Sequence, residues 1–260
     1  MSSMRTKPLM RISSLDKYFG GLHAVNSVSF DVPPGKIKSV IGPNGAGKTT
    51  MFNMIAGYFP PSSGAVYYKD ELITGMKPFM TARQGLLRTF QNLKVCGNLS
   101  VLDNILLGYH TRGKAGFTAG MLSTRKSRKE EKEAVDAALP LLEWLGLLDK
   151  KDTSVGNLSF GEQRSVELAR ALSSNPAMLL LDEPAAGLNM HETEVLARNI
   201  CELKEQGRTI LLVEHDMSLV MDISDEIVVL NFGEKIAEGS PSEIQNNEDV
   251  IRIYLGGGDA

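Results

Sequence analysis

Apolar residues take every second position near the start of the chain. "LMRISSLDKYF" (9–19) and "AVNSVSFDV" (24–32) both alternate, and the "GG" and "PPG" that break them are hairpin punctuation. "KIKSVIG" (36–42) predicts a strand that runs into a glycine-rich stretch. "TTMFNMIAG" (49–57) predicts a short helix with Phe52 and Ile55 on one face and Gly57 as its stop, and "GAVYYKD" (64–70) a further strand. From about Asn92 to Ser173 the period turns helical, in "SVLDNILLGYH" (100–110), "KEAVDAALPLLEWLGLLDK" (132–150) and "GEQRSVELARALS" (161–173). The last third alternates strand "AMLLLDEP" (177–184), helix "NMHETEVLARNICELKEQG" (189–207), strand "TILLVEHD" (209–216), helix "MSLVMDIS" (217–224) and strand "EIVVLNFG" (226–233).

Strands alternating with helices indicate a parallel sheet with covered faces. The expected architecture is one α/β domain over 1–260. Its core, with an antiparallel β subdomain, comes from 1–91 and 174–260, and a helical subdomain is inserted at 92–173.

Composition narrows the function classes. The 260 residues are 42% hydrophobic and 23% charged, enough for a real core. A net charge of -3 gives no electrostatic case for bulk nucleic-acid binding, and no nucleic-acid partner is expected. Cys96 and Cys201 stand apart and make no metal spacing. "MSSMRTKPLM" lacks the apolar core of a signal peptide, and no apolar run approaches the roughly 20 residues of a membrane span. A soluble protein is expected, or one held at a membrane by a partner. The basic insertion 112–132 is interspersed with Glu130 and Glu131 and reads as a solvated loop entering a charged helix face.

The chemistry starts at "GPNGAGKTT". Gly42 to Thr49 fits G-x-x-x-x-G-K-[ST] between a strand and a helix. The glycines let backbone N–H groups converge on phosphate oxygens, and the helix adds its positive N-terminal end. Lys48 supplies a charge for the β- and γ-phosphates, and Thr49 a hydroxyl for Mg²⁺. A glycine-rich turn that binds nothing does not account for Gly-Lys-Thr at that junction.

Other segments sharpen this. Asp182 ends an apolar strand and is placed to hold Mg²⁺, and Glu183, one residue on, to act as general base. His215 follows another apolar strand, and Gln91 ends "LLRTFQ". In an open parallel sheet the carboxyl ends of the strands form the ligand crevice. "LSFGEQ" places Ser159 and Gly161 at a helix N-terminus, a second anion-seeking element.

Together these residues resemble an ATP-binding-cassette ATPase over nearly the whole chain. "GPNGAGKTT" resembles the Walker A loop, Gln91 the Q-loop glutamine, "LSFGEQ" the signature motif and "MLLLDEP" Walker B with its glutamate. "AGLN" resembles the D-loop, His215 the switch histidine, and Phe19 the aromatic that stacks on adenine. The resemblance implies a P-loop NTPase fold with ATP and Mg²⁺ as cofactors. Gly42, Pro43, Asn44, Gly45, Ala46, Gly47, Lys48, Thr49 and Thr50 would bind the nucleotide of their own chain, with Phe19. Ser159, Gly161 and Gln163 would close over the nucleotide of a second cassette in a head-to-tail dimer. Thr49, Gln91 and Asp182 would serve the metal, and Glu183, His215 and Gln91 catalysis.

The sequence departs from the family pattern at Phe160 and Glu162 in the signature, at Asn189 where aspartate is usual, and at Phe19 where tyrosine is frequent. Lys38 interrupts a strand that is usually apolar, and is expected at the strand's edge with its ammonium reaching outward. "DEPAAGLN", "VEHDMSLVMDISDEIVVLNFGEKIAEGSP" and "NNEDVIRIYLG" resemble the ATP-binding subunits of branched-chain amino-acid importers. That resemblance implies permease partners, bound near "FQNLKVCGNLSV", and a cytoplasmic place on the inner face of the membrane. A urea or amide importer, a lipopolysaccharide exporter or a soluble non-transport cassette stays open, as does homodimer against heterodimer.

Overall fold

The computed structural model describes residues 7–89, 94–109 and 125–255. Two compact units emerge. The first comprises the described parts of Met1–Thr81, Leu86–Arg88 and Ala177–Ala260; the second, Ala82–Gly85 and Thr89–Pro176.

The chain opens with β1 (Met10–Phe19), β2 (Leu22–Val32), β3 (Ile37–Ile41), α1 (Lys48–Ile55), β4 (Ser63–Tyr68) and β5 (Glu71–Leu72). It continues with α2 (Pro78–Arg83), β6 (Leu86–Arg88), α3 (Val101–Tyr109), α4 (Arg125–Trp144) and α5 (Phe160–Ser173). Then come β7 (Met178–Asp182), α6 (Met190–Glu205), β8 (Thr209–Val213), α7 (Met217–Ile223), β9 (Glu226–Asn231), β10 (Glu234–Gly239), α8 (Pro241–Gln245) and α9 (Glu248–Leu255).

In the first unit β2-β1-β4-β5 form an antiparallel sheet and β10-β9-β3-β8-β7-β6 a second one. The second sheet is parallel except where β10 turns back on β9. β3, β7 and β8 are buried at every position, because helices cover both faces. Met51, Phe52 and Ile55 of α1 pack into one core with Leu180, Leu211 and Val213. Ile41, Ile227 and Val229 meet Val220, Ile244 and Val250 in a second, so α8 and α9 belong to this unit's packing.

Lys38 corrects the expectation of an outward-reaching side chain. It sits in β3, between β8 and β9, and is only 1% exposed. Its ammonium donates to Asp31 O at 2.5 Å and Glu238 Oε1 at 2.5 Å, and lies 2.8 Å from Glu226 Oε2. The β10 hairpin supplies that counter-charge, and nothing in "KIKSVIG" announces it. Burial pushes the Glu238 carboxyl up, but Lys235 and Lys38 outweigh it and leave it below the ordinary range. Its contribution to stability is therefore present above the unfolded carboxyl pKa and lost as pH falls through the lower folded one. The glutamates are 41% and 29% exposed, so water covers much of their charge once the lysine is gone. Lys38→Met is thus expected to change stability by no more than about 1 kcal/mol, whereas Glu226→Gln with Glu238→Gln strands a buried ammonium and costs about 3–5 kcal/mol. Urea unfolding midpoints of the two variants decide this.

In the second unit α3, α4 and α5 enclose Val101, Ile105, Ala138, Leu142, Val166 and Ala169. A Cβ on Gly108 would lie 2.1 Å from Arg170 O, so that glycine permits the close approach of α3 and α5. α4 begins at Arg125, earlier than apolar spacing predicts, because its first turns are polar. It ends near Trp144 because Gly146 takes a left-handed φ of 68°, a conformation that terminates a helix. The basic insertion lies largely outside the described residues.

Candidate active site

The glycine-rich loop leaves β3 and enters α1 at Lys48. A Cβ on Gly42 would sit 2.1 Å from Leu230 O, and one on Gly47, at φ 95°, 2.5 Å from Ala24 O. Only glycine fits this path, which wraps backbone amides around a concave space. Ala46 N–H donates back to Pro43 O at 3.1 Å, and Gly233 N–H, from the β9–β10 turn, to Ala46 O at 3.1 Å. Lys48 lies across the loop, donating to Gly42 O at 2.7 Å and Pro43 O at 3.0 Å. Burial pulls its pKa down, and the negative charge of Glu183 partly opposes that. Asn44, Gly45 and Thr49 are exposed, and Pro43 and Thr50 half-buried.

β3, β8 and β7 lie side by side with their carboxyl ends on one edge. Val40 pairs with Val213, and Val213 with Asp182, so the loop, His215 and the Asp182–Glu183 pair all follow one row of the sheet. Asp182 is 1% exposed. Its Oδ2 accepts from Arg88 Nη2 at 2.6 Å, and its Oδ1 is buried without a hydrogen-bond partner among the described residues. Glu183 has φ 46°, a conformation that costs a non-glycine residue about 1–3 kcal/mol and concentrates at functional sites. Its N–H donates to Val213 O at 2.9 Å, which ties the turn to β8.

His215 is exposed, with Nδ1 3.8 Å from Glu214 Oε2. Glu214 was not singled out by the sequence, yet it is fully buried and accepts from Ala185 N–H at 2.8 Å and His215 N–H at 3.0 Å. It fastens the segment after Glu183 to the segment carrying His215. Burial raises its pKa, against those backbone hydrogen bonds. Tyr254 is a second residue the sequence reading missed. Burial raises its hydroxyl pKa, while a hydrogen bond with the Gly42 backbone pulls it down. Apolar periodicity shows neither, because both act through polar atoms.

Phe19 is 47% exposed at the end of β1, edge-on to Phe59 with centroids 5.7 Å apart. The neighbouring Tyr18 stacks on His23 at 3.9 Å, which occupies one of its faces. Gln91 lies outside the described residues.

In the second unit Ser159 caps α5. Glu162 N–H donates to Ser159 Oγ at 3.3 Å, and Ser159 N–H to Glu162 Oε2 at 2.9 Å, a capping box. Lys150 pairs with Glu162 and holds its carboxyl below the usual range. Gly161 is half-buried, and Gln163 Nε2 donates to Leu158 O at 3.0 Å.

The first unit's residues fit a nucleoside triphosphate with a divalent cation. The loop runs so close to Leu230 O and Ala24 O that only glycine fits at 42 and 47, Lys48 is a buried cation, and Asp182 Oδ1 is a buried acceptor without a donor among the described residues. An acceptor of that kind suits a cation or its water ligand.

The model of the ABC transporter family matches residues 25–186, and that of the branched-chain amino acid ATP-binding cassette transporter family matches 234–260. The chain is 45% identical over 252 residues to the high-affinity branched-chain amino acid transport ATP-binding protein LivG of Escherichia coli K12, over 96% of this chain and 99% of that one. A solved ATP-binding cassette of an ABC transporter in its ADP conformation superposes with TM-score 0.84 and 34% identity, over 96% of this chain and all of that one. A bacterial ABC transporter cassette solved as a dimer gives TM-score 0.73 and 25% identity, over 89% and 98%. The chain belongs to the ABC transporter family, as one of its ATP-binding ATPase subunits.

Proposed function

We propose that this chain hydrolyses ATP to drive a membrane importer of branched-chain amino acids. It is peripheral on the inner face of the membrane through permease subunits, and pairs head to tail with a second cassette. Among the described residues no helix is long and apolar enough to cross a membrane. The observation that carries the reading is the row in which Lys48, Asp182, Glu183 and His215 follow adjacent strand ends. The solute class is supported by the likeness to LivG and by the family match at 234–260.

Each residue has a role in this reading. The amides of Gly42 to Thr50 and the Lys48 ammonium bind the phosphates. Thr49, Asp182 and Gln91 hold Mg²⁺, which when bound neutralises charge on the phosphate oxygens. Glu183 takes the proton of the attacking water, and His215 orients the γ-phosphate end. Ser159, Gly161 and Gln163 serve the nucleotide of the second cassette.

Phe19 supplies the face for adenine. Stacking is worth about 0.5–1.5 kcal/mol beyond burial, so Phe19→Ala is expected to raise the Michaelis constant for ATP about two- to tenfold with turnover little changed. An unchanged Michaelis constant in steady-state kinetics would move the platform to Tyr18.

Transport tests the whole reading. Cells lacking their own branched-chain import cassette, given this chain with its permease subunits, are expected to take up labelled leucine. The Lys48→Ala chain is expected not to restore uptake. Uptake of urea in place of leucine would reassign the solute.

A further inference from the structure

Arg88 ends β6, the edge strand of the parallel sheet, and the sequence reading gave it no role. It is half-buried, and its guanidinium reaches two elements at once. Nη2 donates to Asp182 Oδ2 at 2.6 Å, and Nη1 to Asn53 Oδ1 of α1 at 2.7 Å. Its carbon lies 4.9 Å from the Tyr58 ring centroid and 5.6 Å from that of Phe52. The fork therefore has fixed anchors at both ends and aromatic packing on its plane. Among the described residues the Asp182 carboxylate receives no other hydrogen bond, and its Oδ1 is buried and unpartnered.

We propose that Arg88 is the positioning residue for Asp182: it holds Oδ2 and thereby aims Oδ1 at the divalent cation. The proposal rests on the reading of Asp182 as a metal-directed carboxylate. Two effects of Arg88 oppose each other. Its charge repels a cation at the same carboxylate, which weakens metal binding. It also gives a carboxylate of 1% exposure the one ion-pair partner it has among the described residues. Without that partner neither carboxylate oxygen keeps a fixed direction, and metal binding has to order the ligand as well. For a carboxylate held by one fork, loss of the fixed orientation outweighs relief of the repulsion. The sign of the effect is therefore fixed: removing Arg88 weakens metal binding.

Mn²⁺ is the probe, titrated by electron paramagnetic resonance into the full chain saturated with ADP. Arg88→Gln is expected to weaken Mn²⁺ about tenfold or more, in the range seen when a ligand's hydrogen-bond partner is lost. The affinity for ADP in EDTA is expected to stay within about twofold, since Arg88 does not touch the phosphate loop. Arg88→Lys restores charge without the fork and is expected to recover part of the loss. Asn53→Ala frees one arm of the fork and is expected to weaken Mn²⁺ about threefold. Unchanged or tighter Mn²⁺ binding in Arg88→Gln overturns the proposal. If that variant does not fold, wild-type Mn²⁺ affinity in both Arg88→Lys and Asn53→Ala overturns it instead. The underlying reading fails separately, if Asp182→Asn binds Mn²⁺ as the wild type does.

Discussion

Glu183→Gln is expected to lower ATP turnover by about 10²- to 10⁴-fold, the usual contribution of a general base, while ATP stays bound. The substitution keeps size and hydrogen-bonding capacity and removes only the basic oxygen. The left-handed backbone at Glu183 is held by its N–H bond to Val213 O, which the variant retains. With the γ-phosphate intact, an ATP-bound dimer is expected to accumulate with Mg²⁺, visible by gel filtration. Adding Ser159→Arg is expected to abolish that dimer and spare ATP binding at the chain's own loop. Ser159 is also the cap of α5, and losing the cap costs about 1 kcal/mol, so melting temperature is read alongside. If the cell pairs this chain with a different cassette, both are present in the experiment. A stable dimer in the double variant would remove "LSFGEQ" from the composite site.

Lys48→Ala is expected to abolish hydrolysis and weaken ATP binding about tenfold to a hundredfold, the range for hydrogen bonds to a charged group. The fold is expected to survive, for an electrostatic reason. Burial lowers the Lys48 pKa, so the apo protein pays to keep this cation charged. That penalty is present at neutral pH and vanishes only above the ordinary lysine pKa. Without nucleotide the variant is therefore expected to be at least as stable as the wild type. Added ATP is expected to raise the melting temperature of the wild type and hardly that of the variant. A full thermal shift by ATP in Lys48→Ala would remove this lysine from the phosphate site.

The phosphate loop, the carboxylates and the alternation of strands with helices were legible because each is a local pattern. A strand running into Gly-x-x-x-x-Gly-Lys-Thr, or an apolar strand ending in Asp182–Glu183, shows in consecutive letters. The residues that fasten the site were not legible. Arg88 reaches Asp182 across 94 positions, and Glu214 reaches Ala185 across 29. Lys38 was misread for the same reason: its partners Glu226 and Glu238 lie on strands far along the chain. β6 was too short to show a period, β10 and α8 carry few apolar positions, and the apolar residues of α9 do not name the surface they cover, so the C-terminal packing on Ile41 went unread.

The central claim is that one site, built on the ends of β3, β7 and β8, binds ATP and cleaves it with Glu183. A crystal structure of the Glu183→Gln chain grown with ATP and Mg²⁺ tests it most directly. The expected density places the γ-phosphate within hydrogen-bond reach of Lys48 Nζ, with a water between that phosphate and the side chain at position 183. Nucleotide density elsewhere on the chain, or a γ-phosphate beyond reach of that side chain and any water it holds, would contradict it.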